Sequence, residues 1–187
     1  MRLTDLVHDY LSQQLQAGDL AIDATAGNGF DAEKMAQLVG PTGRMIAIDI
    51  QADAIAITKQ RLSAAGLLPQ CELHVADHAY TLRSLLSKYA GQTSAITFNL
   101  GYLPKGDKSI RTQSESTLAA LEASSELLKP GGRLLITAYR GHDGGQDEAS
   151  IVAQWMQRVE GFGWTVESHE PIINSPRVPP ILWVAQR

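Results

Sequence analysis

Leu3, Leu6, Val7, Tyr10, Leu11 and Leu15 recur at helical spacing, which predicts an amphipathic helix over residues 3–16, ended by Gly18-Asp19. Behind it the pattern changes to short, continuous apolar runs. Leu20-Ala21-Ile22-Asp23 reads as a buried strand, and residues 45–49, 71–75 and 95–99 repeat it. Helical stretches separate these runs. One follows the turn at 24–29 and stops at Gly40-Pro41, a second covers 52–65 and closes at Gly66, and a third runs through Tyr89. After an irregular segment to about Arg111 come a helix at 112–128, a strand at 133–138, a helix at 146–160 and two strands near 164–168 and 181–185.

Strands alternating with helices predict a parallel sheet covered on both faces. No helix separates the last two strands, so an antiparallel, hairpin-like ending is expected. The fold class is α/β: a Rossmann-like, doubly wound sheet of seven strands, mostly parallel, with an antiparallel last strand. No repeat or linker divides the chain, and 187 residues suit one domain, 1–187, with the first helix packed on it.

Composition narrows the function classes. Sixteen basic and twenty acidic side chains give a net charge of −4, which argues against a surface coated in positive charge for indiscriminate nucleic-acid binding. The single cysteine, Cys71, excludes an internal disulfide and a cysteine-based zinc site. His8, His74 and His169 show no grouping that suggests a metal, and none is expected. Met1-Arg2-Leu3-Thr4-Asp5 places acid where a secretory signal has its apolar core, and no apolar run approaches the roughly 18 residues of a membrane helix. The expectation is a cytoplasmic protein with no membrane partner.

The turn Asp23-Ala24-Thr25-Ala26-Gly27-Asn28-Gly29 follows a strand and opens a helix, and its glycines allow close backbone approach to a ligand. Asp49 ends the second strand about twenty residues on, where nucleotide-binding α/β folds carry an acid for ribose hydroxyls. The plain alternative is a tight turn with a helix cap. No third glycine completes a pyrophosphate fingerprint, and Asp31 puts negative charge at the helix N-terminus, where a pyrophosphate needs positive potential. A ligand with a cationic centre and an amino-acid tail, such as S-adenosylmethionine (SAM), suits the loop better, with Asp23 or Asp31 receiving its ammonium group directly or through water.

In these residues the chain resembles the class I SAM-dependent methyltransferases: a strand-one acid, a glycine turn, then Asp49 and Asp77 after strands two and three. Thr25 departs from the first glycine of the common D-x-G-x-G-x-G pattern. A narrower resemblance rests on Asp23–Gly29, Asp49-Ile50-Gln51, Asp77-His78, Phe98-Asn-Leu-Gly-Tyr-Leu-Pro104, Tyr139-Arg-Gly-His142 and Pro179-Pro180. These are similar to a small bacterial family described as rRNA methylases, whose better-understood members methylate the aminomethyl group of the tRNA wobble uridine. That family commonly has His where this chain has Phe30.

The resemblance implies SAM as cofactor, held by Asp23, Thr25, Ala26, Gly27, Asn28, Gly29, Asp31, Asp49, Ile50, Gln51, Asp77, His78, Asn99 and Leu100. It implies catalytic roles for Asn99, Gly101, Tyr102 and His142. Asn99-Leu-Gly-Tyr102 stands where amine methyltransferases place an Asn/Asp-Pro-Pro-Tyr/Phe motif: the amide oxygen accepts from the amine, aiming its lone pair, and the ring stacks on the base. The substrate-binding set is Tyr102, Lys105, Lys108, Arg111, Arg140 and Arg177, and the expected partner is the tRNA anticodon loop, with a homodimer to extend the RNA surface. Alternatives within the class are an rRNA or small-amine substrate. More distant ones are a nucleotide-dependent oxidoreductase and a non-catalytic SAM-binding subunit.

Overall fold

The computed structural model describes residues 2–101, 112, 114–141, 144–171 and 178–187. Helix α1 (Leu3–Gln14) leads into β1 (Leu20–Asp23), α2 (Phe30–Val39), β2 (Arg44–Asp49) and α3 (Ala52–Ala64). A 3₁₀ turn at Leu68–Gln70 precedes β3 (Cys71–Val75), α4 (His78–Tyr89) and β4 (Thr93–Leu100). Then come α5 (Ser114–Leu127), β5 (Leu128–Ala138), α6 (Gly145–Gly161), β6 (Thr165–His169) and β7 (Ile181–Gln186).

The seven strands lie in the order β3-β2-β1-β4-β5-β7-β6. The first five pair in parallel, and β7 runs antiparallel to both β5 and β6. The expected antiparallel ending is there, with β7 inserted between its neighbours. Strand alternation divides the core between the two faces of the sheet. Ile22, Ile46 and Ile48 point to the layer that holds Leu82 and Leu85 of α4, Leu121 of α5 and Trp155 of α6. Ala21, Met45 and Ala47 point to the other, with Val7 and Leu11 of α1, Met35 of α2 and Leu62 of α3.

α2 shows how sequence becomes geometry here. Ala32, Met35, Ala36 and Val39 form one buried stripe, Asp31 and Glu33 put acid in the first turn, and Gly40 ends the helix at φ 63°. One boundary departs from expectation: β5 begins at Leu128, not 133. Lys129-Pro-Gly-Gly132 reads as a turn, but the strand absorbs it through a left-handed Gly131 (φ 74°) and an irregular register between Thr93 and Ala95 of β4.

The order of strands also fixes where a ligand belongs. The chain moves from β1 outward through β2 and β3, then returns to the other side of β1 as β4. The loops after β1 and β4 therefore diverge and leave a crevice at the carboxyl end of the sheet.

Candidate active site

The loop after β1 is fastened on three sides. Ala24 N donates to Thr97 O of β4 at 2.9 Å, and Ala26 N to Ile48 O of β2 at 2.8 Å. Asn99 N donates to Thr25 Oγ1 at 2.6 Å, so the residue that departs from the glycine pattern ties the loop to the fourth strand. Asp49 closes the loop from β2: Gly27 N and Gln51 N each donate to one of its oxygens at 2.9 Å. An ionised carboxylate has about four acceptor positions, so ribose hydroxyls remain within its chemistry.

From behind, α3 supports the same loop. Thr58 Oγ1 donates to Gly27 O at 3.3 Å and Arg61 Nε to Asn28 O at 2.8 Å. Arg61 also pairs with Glu33 at 3.0 Å and lies 3.9 Å over the Phe30 ring. Gly27 and Gly29 both sit at positive φ (53° and 77°), and a Cβ on Gly29 would stand 2.9 Å from the Thr58 backbone. No other residue fits there.

The floor of the crevice is acidic. Asp23 has no exposed surface, and among the described residues its carboxylate accepts one hydrogen bond, from Thr25 N at 3.3 Å, while Oδ2 has no partner. Burial, then the charges of Asp31 and Asp49, push its pKa well above the ordinary carboxylate range. A buried, unbalanced carboxylate beside a glycine turn fits a cationic ligand group such as the ammonium or sulfonium of SAM, and that orphaned oxygen is the observation that favours the fit.

Asp31 stands at the first turn of α2 and is nearly buried. Its Oδ2 accepts from Asn99 Nδ2 at 2.8 Å, and its Oδ1 lies 2.8 Å from His8 Nε2 of α1. Tyr139, half-exposed after β5, donates its backbone N–H to Leu100 O at 3.0 Å. Burial and then the charge of Asp31 raise its phenol pKa.

At the far end of the crevice, Asp77 caps α4 by accepting from Tyr80 N at 3.0 Å, and accepts from Ser116 Oγ at 2.6 Å. Burial opposes its ionisation, but these hydrogen bonds leave it below the usual carboxylate range. The buried His78 ring meets Phe98 edge-on at 5.7 Å, with Nε2 unpartnered, and burial lowers its pKa. Ile50 is exposed beside Asp49, while Leu100 is fully buried and offers only its backbone. Among the described residues no group of three His, Cys, Asp or Glu stands ready for a metal, and no helix is long and apolar enough to cross a membrane.

The structure therefore gathers Asp23, Thr25, Ala26, Gly27, Asn28, Gly29, Asp31, Asp49, Ile50, Gln51, Asp77, His78, Asn99, Leu100 and Gly101 at one end of the sheet. Tyr102, Lys105, Lys108, Arg111, His142 and Arg177 lie outside the described residues. Arg140, expected at the RNA phosphates, also has partners within the chain. Its Nε and Nη2 donate to Pro179 O at 2.9 and 2.7 Å, and Nη2 also pairs with Glu170, so two of its three nitrogens serve the fold. Sequence reasoning missed His8 and Arg61. The signal for His8 was its position next to Val7 on the flank of the apolar stripe of α1, where a polar side chain meets the edge of the buried face.

Comparison with known proteins follows the same lines. A family model described as "Putative rRNA methylase" matches residues 45–186, and a model for protein-L-isoaspartate(D-aspartate) O-methyltransferase matches residues 2–84. The chloroplastic tRNA (mnm(5)s(2)U34)-methyltransferase of Arabidopsis thaliana is 33% identical over 192 residues, covering 100% of this chain and 70% of its own. A crystal structure from Clostridium thermocellum, described as an rRNA-methylase, is 35% identical with a TM-score of 0.88 and covers 98% of this chain and 96% of its own. A methyltransferase from Streptococcus mutans, solved with S-adenosylhomocysteine (SAH), is 30% identical with a TM-score of 0.84, covering 100% and 98%.

Proposed function

The chain belongs to the family described as "Putative rRNA methylase" and is a SAM-dependent methyltransferase of the class I fold, and from that premise we propose that it methylates the aminomethyl nitrogen of a modified wobble uridine in tRNA. The full-length likeness to the Arabidopsis tRNA enzyme supports the substrate. The chemistry rests on one observation: the Asn99 side chain, at the carboxyl end of β4, has its NH₂ group held by Asp31. That turns its carbonyl end the other way, where it can accept a hydrogen bond from an amine.

SAM supplies a methyl group on a sulfonium. The residues of the chain bind, orient and shield. Asp23 faces the cationic part of the cofactor, Asp49 the ribose, and Asp77 with His78 the adenine side. An alkylamine with a pKa near 10, judged by lysine, arrives mostly as ammonium at neutral pH. It releases one proton to water, assisted by desolvation and by the adjacent positive sulfur. The neutral nitrogen's lone pair then forms the new N–C bond as the C–S bond breaks, and that bonding pair stays on sulfur. The product nitrogen is a secondary ammonium. No strong base is required, and in-line positioning supplies most of the acceleration.

We place Tyr102 against the base, His142 near the substrate, and Lys105, Lys108, Arg111 and Arg177 around the RNA phosphates. A second copy of the chain would extend that surface, and the setting is the cytoplasm. Nucleoside mass spectrometry of tRNA from cells lacking the gene is the decisive measurement. Aminomethyluridine should accumulate and disappear when protein and SAM are added. Unchanged tRNA with a methyl group missing from rRNA would move the substrate to the ribosome.

A further inference from the structure

His8, Asp31 and Asn99 come from three separate elements, α1, α2 and β4, and meet in one chain of hydrogen bonds at the mouth of the crevice. Asp31 was expected among the cofactor residues. Each of its oxygens is also engaged at 2.8 Å by a protein group, one by a histidine and one by the amide placed toward the substrate, which gives it a second role. The amide orientation follows from chemistry, because only the NH₂ end of Asn99 can point at a carboxylate.

We propose that Asp31 is a positioning residue for methyl transfer: it locks the Asn99 amide with its carbonyl oxygen toward the amine, and His8 of the N-terminal helix fixes Asp31 in turn. The inference rests on the amine-orienting role of Asn99 given above.

Three consequences follow from the geometry. A charge-assisted hydrogen bond to the NH₂ end polarises the amide, so its oxygen becomes a better acceptor for the amine N–H. The lock removes the flipped amide rotamer, in which NH₂ would face the amine and repel it. It also makes α1 part of the active site, since His8 reaches Asp31 across 23 residues of sequence with its side chain only 29% exposed. The titratable groups around Asp31 are His8 on α1, Asp23 at the end of β1 and Tyr139 after β5.

The test measures the full-length protein three ways: SAM binding by calorimetry, steady-state methylation of an anticodon stem-loop carrying aminomethyluridine, and the Asn99 side-chain NH₂ resonances by NMR. Asp31→Asn should lower kcat about 10- to 100-fold, the range for losing a hydrogen bond to a charged group, with KM and the SAM Kd within about 3-fold. The Asn99 NH₂ resonances should move, and in an Asn99→Ala background the same substitution should have no further effect on kcat. Asp31→Glu should recover part of the rate. His8→Gln, on a partly exposed helix face, should lower kcat about 3- to 10-fold and move the same resonances, which keeps the idea testable if Asp31→Asn does not fold. A SAM Kd that weakens as much as kcat falls would make Asp31 a cofactor residue and overturn the proposal. So would additive losses in the double variant. If Asn99→Ala itself left kcat unchanged, the amine-orienting reading would fall first, and with it the premise.

Discussion

β1 carries an aspartate at each end, and the two live in opposite circumstances. Asp19, just before the strand, receives hydrogen bonds from Ser94 Oγ at 2.6 Å, Lys129 Nζ at 2.9 Å and Gln16 N at 2.9 Å. Burial opposes its ionisation, yet those partners hold its pKa below the ordinary value. Asp23, four residues on, is fully buried with one weak hydrogen bond, an orphaned oxygen and two neighbouring acids, and its pKa is driven up. One end of the strand is built for stability. The other holds a stored cost that the cationic ligand proposed above would relieve, the pattern expected where function and stability compete.

Three substitutions probe that contrast. The largest effect belongs to the functional end. Asp49→Ala removes the closure of the glycine loop and, with it, the ribose acceptor proposed above, so calorimetry should show the SAM Kd rising about 10- to 100-fold. A Kd that stays put would detach Asp49 from the cofactor.

Next comes Asp19→Ala, which strands Lys129 and Ser94. It should cost about 2 kcal/mol, or roughly 4–8 °C in Tm for a chain of this size, without changing SAM affinity. Thermal melts with and without SAM separate the two quantities.

The smallest effect carries the opposite sign. Asp23→Asn removes an acid whose ionisation is opposed by burial and by two neighbouring acids, and should raise the ligand-free Tm by roughly 2–4 °C at a pH above the raised folded pKa, while weakening SAM binding. The pH dependence has a definite direction. A carboxyl whose folded pKa lies above its unfolded value contributes stability at low pH, and that contribution is lost as pH rises through the folded pKa. The ligand-free protein should therefore lose stability as pH climbs above the ordinary Asp range, and the variant should lack that decline. A variant that melts lower than the wild type would mean that Asp23 is satisfied in a way its geometry does not show.

The sequence made the sheet legible because both of its faces are buried. Continuous runs such as Met45–Asp49 have few other fates. The loop after β1 was legible where geometry forces residue type: the glycines at 27 and 29 take positive φ, and the acids at 23 and 49 accept from its backbone. The chain was less legible where residues serve through tertiary contact. Nothing local marks His8 as the partner of a residue 23 positions away. Arg140 reads as a free cation until the carbonyl of Pro179 arrives beside it, 39 residues later. Asp77 shows both kinds at once, an acid after strand three that is also the N-cap of α4. The early start of β5 was hidden for a similar reason: Pro130-Gly-Gly132 carries the local signature of a turn, and only the pairing of Leu128 with Thr93 draws it into the sheet.

The placement of β7 matters for how the molecule is made. Residues 181–186 follow the other six strands in the order of synthesis but lie inside the sheet, between β5 and β6. Among the described residues β6 pairs with no other strand, and one edge of β5 waits for the same strand. On the ribosome, two open strand edges must therefore persist until β7 has left the exit tunnel, and only then can the sheet close. A nascent chain paused before Ile181 would present its crevice already shaped between β1 and β4, with the opposite flank still unzipped and vulnerable to proteases and to pairing with other chains.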